Sequence, residues 1–168
     1  MITIDITLSH KSWIKERAGI KKFIKDLIKK IIPDTELNQL LKEKIKIEIS
    51  VVLSNDEEIK ILNKNYRKID KATNVLSFPT ISKKDLKKRN FTGNILNIGD
   101  IIFALETIKS EALEQNKKFE DHLTHLIIHS ILHLIGYDHQ TKKEAEIMEN
   151  LEIELLKKLA IHNPYIIK

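Results

Sequence analysis

The chain has no cysteine among its 168 residues. Disulfides and thiolate metal ligands are therefore excluded, which fits a reducing compartment. No apolar run approaches the ~18 residues needed to cross a bilayer, so no membrane partner is expected. The N-terminus, MITIDITLSHK, lacks a basic segment followed by an apolar one. No secretion signal is expected from it, and the cytoplasm is the default location. The sequence shows no internal repeat and no low-complexity linker. Arginine is scarce: it occurs only at Arg17, Arg67 and Arg89, and lysine supplies the other cations. The formal net charge is +5. That balance permits a polyanionic partner such as RNA. Enrichment in Lys, Ile and Asn also follows from genome composition, so charge alone does not decide.

What is present suits one domain, 1–168, long enough to build a core without covalent staples. Residues 2–8 (ITIDITL) alternate apolar and polar and predict a half-buried strand. From Ser12 to Ile32 apolar residues recur with the helical period and Pro33 closes the run, which predicts one helix. Residues 45–53 (IKIEISVVL) predict a second strand. Ser54-Asn55-Asp56 supplies helix-start chemistry, and Ile59, Leu62 and Tyr66 space out a short helix. Residues 74–78 (NVLSF) predict a third strand, stopped by Pro79. The basic stretch 81–90 (ISKKDLKKRN) reads as a surface loop. A fourth strand is expected over 94–104, with Gly99 marking a bend or a close backbone approach. Helices near 105–116, 119–135 and 141–160 follow. The expected class is α+β: a mixed four-stranded sheet packed with about five helices.

Five of the seven histidines lie between His122 and His139. The segment HSILHLIGYDH (129–139) holds three of them. On a helix, positions four apart differ by about 40° around the axis, so His129 and His133 project side by side. Gly136 accepts the left-handed conformation that ends a helix sharply. The turn would return His139 towards the other two rings. Three neutral imidazoles around one open position form a catalytic zinc site, zincin-like, on a helix and its following turn. Nickel, copper and iron accept the same donors. A lone histidine on an apolar helix is usually a core residue, but three at this spacing, with a turn glycine, point to one bound metal ion.

The spacing His-x3-His-x2-Gly-x2-His coincides with that of metzincin proteases. There a glutamate follows the first histidine and serves as general base. Here Ser130 occupies that place, and a serine cannot take a proton from bound water at neutral pH. A phosphodiester is therefore the better candidate substrate, because a metal ion and cationic side chains can serve its transition state. Two rivals stay open. One is a metalloprotease. The other is a non-catalytic RNA- or ribosome-binding factor with a structural zinc, which requires a fourth protein ligand.

Several segments, in order, resemble the YbeY family of bacterial rRNA-maturation endoribonucleases. HLIIHSILHLIGYDH (125–139) is similar to its metal motif, with Ser130 where glycine is usual. LNKNYRKIDKATNVLSFP (62–79), NIGDI (97–101) and EAEIMENLE (144–152) resemble further family segments. The likeness covers roughly residues 55–155. It implies an α+β fold and a zinc-dependent, single-strand-specific endoribonuclease. It also implies action in 16S rRNA 3′-end maturation and ribosome quality control. The partners implied are ribosomal RNA and the small ribosomal subunit, with ribosome-associated protein factors as further candidates.

Arg67 is the candidate for phosphate contact, since guanidinium offers a planar fork that lysine cannot copy. The plainer reading, a cation at a helix C-terminus, competes with it; the resemblance favours the functional role. The expected catalytic pair is Arg67 and His129, with metal held by His129, His133 and His139. Asp138 and Asp100 are candidate partners for the histidine ring N–H groups, although Asp138 also suits a turn residue and Asp100, after Gly99, could instead close a strand end. His125 is expected to bond a backbone carbonyl in the core, to lie in the cleft wall or to assist proton transfer, the core role coming first. Thr73, Ser77 and Phe78 are candidate groove residues, Phe78 reading more readily as core. Lys83, Lys84, Lys87, Lys88 and Arg89 form a basic run that either follows RNA or is a solvated face.

Overall fold

Alternation of buried and exposed side chains organises the sheet. The structure, a computed structural model, describes residues 1–166. Strand β1 (Ile2–Leu8) turns Ile4 and Ile6 into the core. Strand β2 (Lys46–Ser54) buries Ile47, Ile49, Val51 and Leu53 in strict alternation. Strands β3 (Val75–Pro79) and β4 (Ile95–Ala104) complete a sheet of order β1-β2-β4-β3. β1 and β2 run parallel, as do β2 and β4, whereas β3 pairs antiparallel with β4. The sheet is therefore mixed and the fold is α+β, as expected.

Among the described residues there are eight α-helices: α1 (Ser12–Glu16), α2 (Ile20–Ile31), α3 (Asn38–Lys42), α4 (Asp56–Arg67), α5 (Lys83–Lys88), α6 (Leu105–Glu114), α7 (Phe119–Leu134) and α8 (Lys142–Lys158). The helix expected over Ser12–Ile32 is two. Its backbone turns extended at Arg17 and left-handed at Gly19, and Arg17 Nε donates to Glu120 at the start of α7. The stretch 81–90 is largely helical rather than a loop. Ser82 caps α5 by accepting from the Asp85 N–H, and the buried Leu86 anchors it. The short α3, which no clear period marks, was not expected.

The two faces of β3 carry different partners. Val75 packs into the main core with Ile127, Ile128 and Ile131 of α7. Leu76, opposite Ile102, joins Ile59 of α4 in a separate small cluster. Helix α7 therefore lies on one face of the edge strand and α4 on the other, because adjacent residues of a strand point to opposite faces. Gly99 fulfils both expectations made for it. The β2–β4 register shifts by one residue just before it, and a side chain there would collide with the Phe78 carbonyl and Leu134.

Candidate metal centre

Helix α7 is apolar nearly all round, and ten of its sixteen residues are buried. Such a helix sits inside the fold, packed between β3 and α8. His129 and His133 occupy successive turns on its one partly open stripe. The helix ends at Leu134, and Gly136 follows with φ of +90°. A side chain at Gly136 would run into Lys83 of α5, so the turn is tight for a packing reason as well as a conformational one. The chain then brings His139 back. Its ring centroid lies 5.6 Å from that of His129 and 5.1 Å from that of His133. One ligand nitrogen from each of the three rings lies within 4.8 Å of the others.

The hydrogen bonds around the rings decide which nitrogens face inward. His129 Nδ1 lies 2.6 Å from Glu152 Oε1 on α8. Glu152 has no exposed surface. Its burial opposes ionisation, but bonds from His125, His129 and Tyr165 outweigh that and hold its carboxyl at about 2. An ionised carboxylate only accepts, so His129 Nδ1 donates. His133 Nδ1 lies 3.0 Å from the Tyr137 carbonyl and donates by the same logic. Burial, followed by the neighbouring His129 and His139, pushes His133 down to about 4. The ring is thus neutral near pH 7 and its Nε2 carries a lone pair.

His129 Nε2 and His133 Nε2 face each other at 3.0 Å. Two lone pairs in apposition repel unless a cation lies between them. A shared proton would satisfy two nitrogens, but three converge here, which is a donor set for a metal ion. The fit of these residues to one metal ion therefore rests on their own chemistry. Among the described residues the group holds these three side chains and no fourth.

Glu152 was not expected. It lies in the segment EAEIMENLE, on the buried face of α8 with Met148, Leu155 and Leu156. A glutamate inside an otherwise apolar stripe was the available signal. It and the Tyr137 carbonyl, not the two aspartates, are the partners of the His129 and His133 rings. Asp138 accepts from the backbone N–H of His139, 2.8 Å away, the turn role. Asp100 lies half-buried on β4 opposite Phe78. His125 donates to Glu152 from Nε2, at 2.8 Å, and lines a cleft rather than bonding a core carbonyl.

Ser130 is fully buried, and its Oγ donates back to the Leu126 carbonyl at 2.7 Å. Arg67 ends α4, on the opposite face of β3 from α7. It is exposed, with no ion-pair or hydrogen-bond partner for its side chain among the described residues. Phe78 is half-buried against Tyr66, with ring centroids 5.1 Å apart. Within the basic run, Arg89 pairs with Glu43, and Lys83 Nζ sits 3.7 Å from the centre of the Tyr137 ring. Those two cations are engaged in the fold. No helix among the described residues is long and apolar enough to cross a membrane.

The family model described as Endoribonuclease YbeY matches residues 10–160. The chain is 44% identical over 165 residues to Endoribonuclease YbeY of Bartonella quintana (strain Toulouse), covering 98% of each protein. It also resembles the solution structure of TM1509 from Thermotoga maritima, with a TM-score of 0.50 and 27% identity, over 94% of this chain and 92% of that one. With a family match across nine-tenths of its length and the three histidines of that match gathered at one point, the chain belongs to the YbeY family of endoribonucleases.

Proposed function

We propose that the protein, as one domain, is a metal-dependent endoribonuclease specific for single strands. It acts in 16S rRNA 3′-end maturation and ribosome quality control, in the cytoplasm, on the small ribosomal subunit and with ribosome-associated protein factors. The observation that carries the metal dependence is the apposition of His129 Nε2 and His133 Nε2 at 3.0 Å, each ring's Nδ1 already spent as a donor. His129, His133 and His139 hold one ion, and zinc suits three nitrogen donors. When bound, the ion supplies Lewis acidity to a phosphoryl oxygen or lowers the pKa of water.

The chain's own groups do the rest. Glu152 fixes the tautomer and direction of His129, and the Tyr137 carbonyl does the same for His133. Arg67 meets a phosphate of the RNA with its guanidinium fork; its exposure and the lack of a side-chain partner among the described residues support that role. His129 is assigned to the catalytic set with Arg67, and its position at one end of a cleft supports that reading.

Two observations disfavour the rivals. Peptide hydrolysis on this spacing needs a base beside the first ligand, and Ser130 there is buried and bonded to Leu126. A structural zinc needs a fourth ligand, and among the described residues the group has three. The test combines metal analysis of purified protein with cleavage of unstructured and structured RNA, and casein as control. Metal-dependent cleavage of the unstructured RNA is expected. Casein hydrolysis, or RNA cleavage unchanged after the metal is stripped, would overturn the reading.

A further inference from the structure

A cleft of about 370 Å³ opens beside the three histidines, with His129 at one end and Asn74, Glu111, Lys117, His125 and Tyr165 around it. That volume is in the range of sites that take a small organic ligand. Its polar groups are unusual for a protein that must hold a polyanion, because the most prominent is a carboxylate. Glu111 is ionised: burial disfavours the charge, but bonds from His122 and Asn74 hold its carboxyl below the usual range. Asn74 Nδ2 donates to both of its oxygens, at 3.2 and 3.0 Å, and His122 Nε2 to one, at 2.8 Å. His122 is itself only 4% exposed, so the carboxylate is fixed from behind. It remains 29% exposed, and acceptor positions are left for a ligand. Since Asn74 turns its N–H2 to Glu111, its carbonyl oxygen adds an acceptor beside them.

The walls are flat rings. His125 and Tyr165 stand nearly perpendicular, with centroids 5.6 Å apart. Tyr165 is 41% exposed, which leaves ring surface for a base to stack on. Lys117 Nζ donates to Gln115 Oε1 at 2.6 Å and to the Pro164 carbonyl at 3.1 Å. An ammonium has three donors, so one is left for a phosphate.

We propose that this cleft is a nucleobase subsite for the nucleotide beside the scissile phosphodiester, and that it prefers guanine; the position relative to the scissile bond rests on the endoribonuclease reading. The base choice follows from donor count. A fixed carboxylate next to a carbonyl oxygen offers acceptors only. Guanine alone among the four RNA bases presents two adjacent N–H donors, the ring N1–H and the 2-amino group. Adenine and cytosine place a ring acceptor next to their amino group, and uracil flanks its N–H with two carbonyls, which the carboxylate repels.

The test is calorimetric binding of guanosine, inosine, adenosine, cytidine and uridine monophosphates to the full, metal-loaded protein. An endonuclease cannot consume a mononucleotide, so the result is independent of cleavage. Guanosine monophosphate is expected to bind at least tenfold more tightly than the adenosine, cytidine and uridine forms. Inosine monophosphate, which lacks the 2-amino group, is expected to bind several-fold more weakly than guanosine monophosphate. Glu111→Gln is expected to keep metal and remove the preference. No binding of guanosine monophosphate at millimolar concentration, equal binding of all forms, or a preference intact in Glu111→Gln would overturn the proposal. If that variant does not fold, the inosine comparison on the unaltered protein decides, and parity of inosine with guanosine overturns it. Absence of RNA cleavage with the guanine preference intact would instead count against the endoribonuclease reading.

Discussion

Glu152 Oε1 accepts the Nδ1 proton of His129 across 2.6 Å, from a position with no exposed surface. One buried carboxylate thereby decides which nitrogen of His129 faces His133 and His139. It also ties three elements together, since Glu152 accepts in addition from His125 of α7 and from Tyr165 beyond α8. Partners of this kind, one step removed from a metal, typically contribute tenfold to a hundredfold in metal affinity.

Glu152→Gln therefore weakens metal binding by about 10–100-fold. An amide accepts through one oxygen only and presents an N–H2 where the second carboxylate oxygen stood, so the donors of both oxygens can no longer all be met. Competition with a chromogenic chelator measures the affinity. Unchanged affinity would show that packing alone orients His129.

Arg67→Glu leaves metal content and folding intact and abolishes most RNA cleavage. The side chain is exposed and has no partner among the described residues, so the stability change is within about 0.5 kcal/mol. Removing one electrostatic contact to a transition state costs on the order of 100-fold or more in rate, and reversing its sign costs more. A thermal melt, metal analysis and a cleavage assay on the same preparation check all three.

Gly136→Ala destabilises the protein by about 1–3 kcal/mol. The residue sits at φ of +90°, and the added methyl meets the Lys83 backbone, with Cα 3.0 Å away. Because His139 follows three residues later, metal affinity falls as well. Denaturant unfolding and metal titration check both effects.

Stability of the metal-free protein falls as the solution is acidified. His133 is held near 4 against 6.5, and Glu152 near 2 against 4.5. Below each ordinary value the unfolded chain takes up a proton that the folded chain refuses, so the unfolded state gains. His133 contributes the loss between 6.5 and about 4, and Glu152 the loss from 4.5 towards about 2. Urea midpoints measured from pH about 7 down to about 3 should decline throughout. In His133→Ala the upper part of that decline should flatten.

The strands were legible because each has a two-residue period or an unbroken β-branched run, and β1 over 2–8 starts and stops where its alternation does. The gathering of His129, His133 and His139 was legible because helical geometry converts a four-residue spacing directly into adjacency and a turn glycine returns the chain. What the residues alone did not disclose depends on other elements. The break at Arg17 is tied to Glu120, more than a hundred positions away. Helix α5 reads as a basic loop until Leu86 is seen to be buried. Glu152 becomes the partner of His129 only once α8 packs on α7, although its place in an apolar stripe marked it as unusual. Asp138 was the nearer choice in sequence, and its own turn claims it.

Metal stoichiometry and single-stranded RNA cleavage, measured side by side on the unaltered protein and on His133→Ala, test the central claim most directly. The account predicts one metal ion per chain and cleavage in the first, and neither in the second, with both proteins folded. Cleavage by His133→Ala protein shown to be free of metal would contradict it.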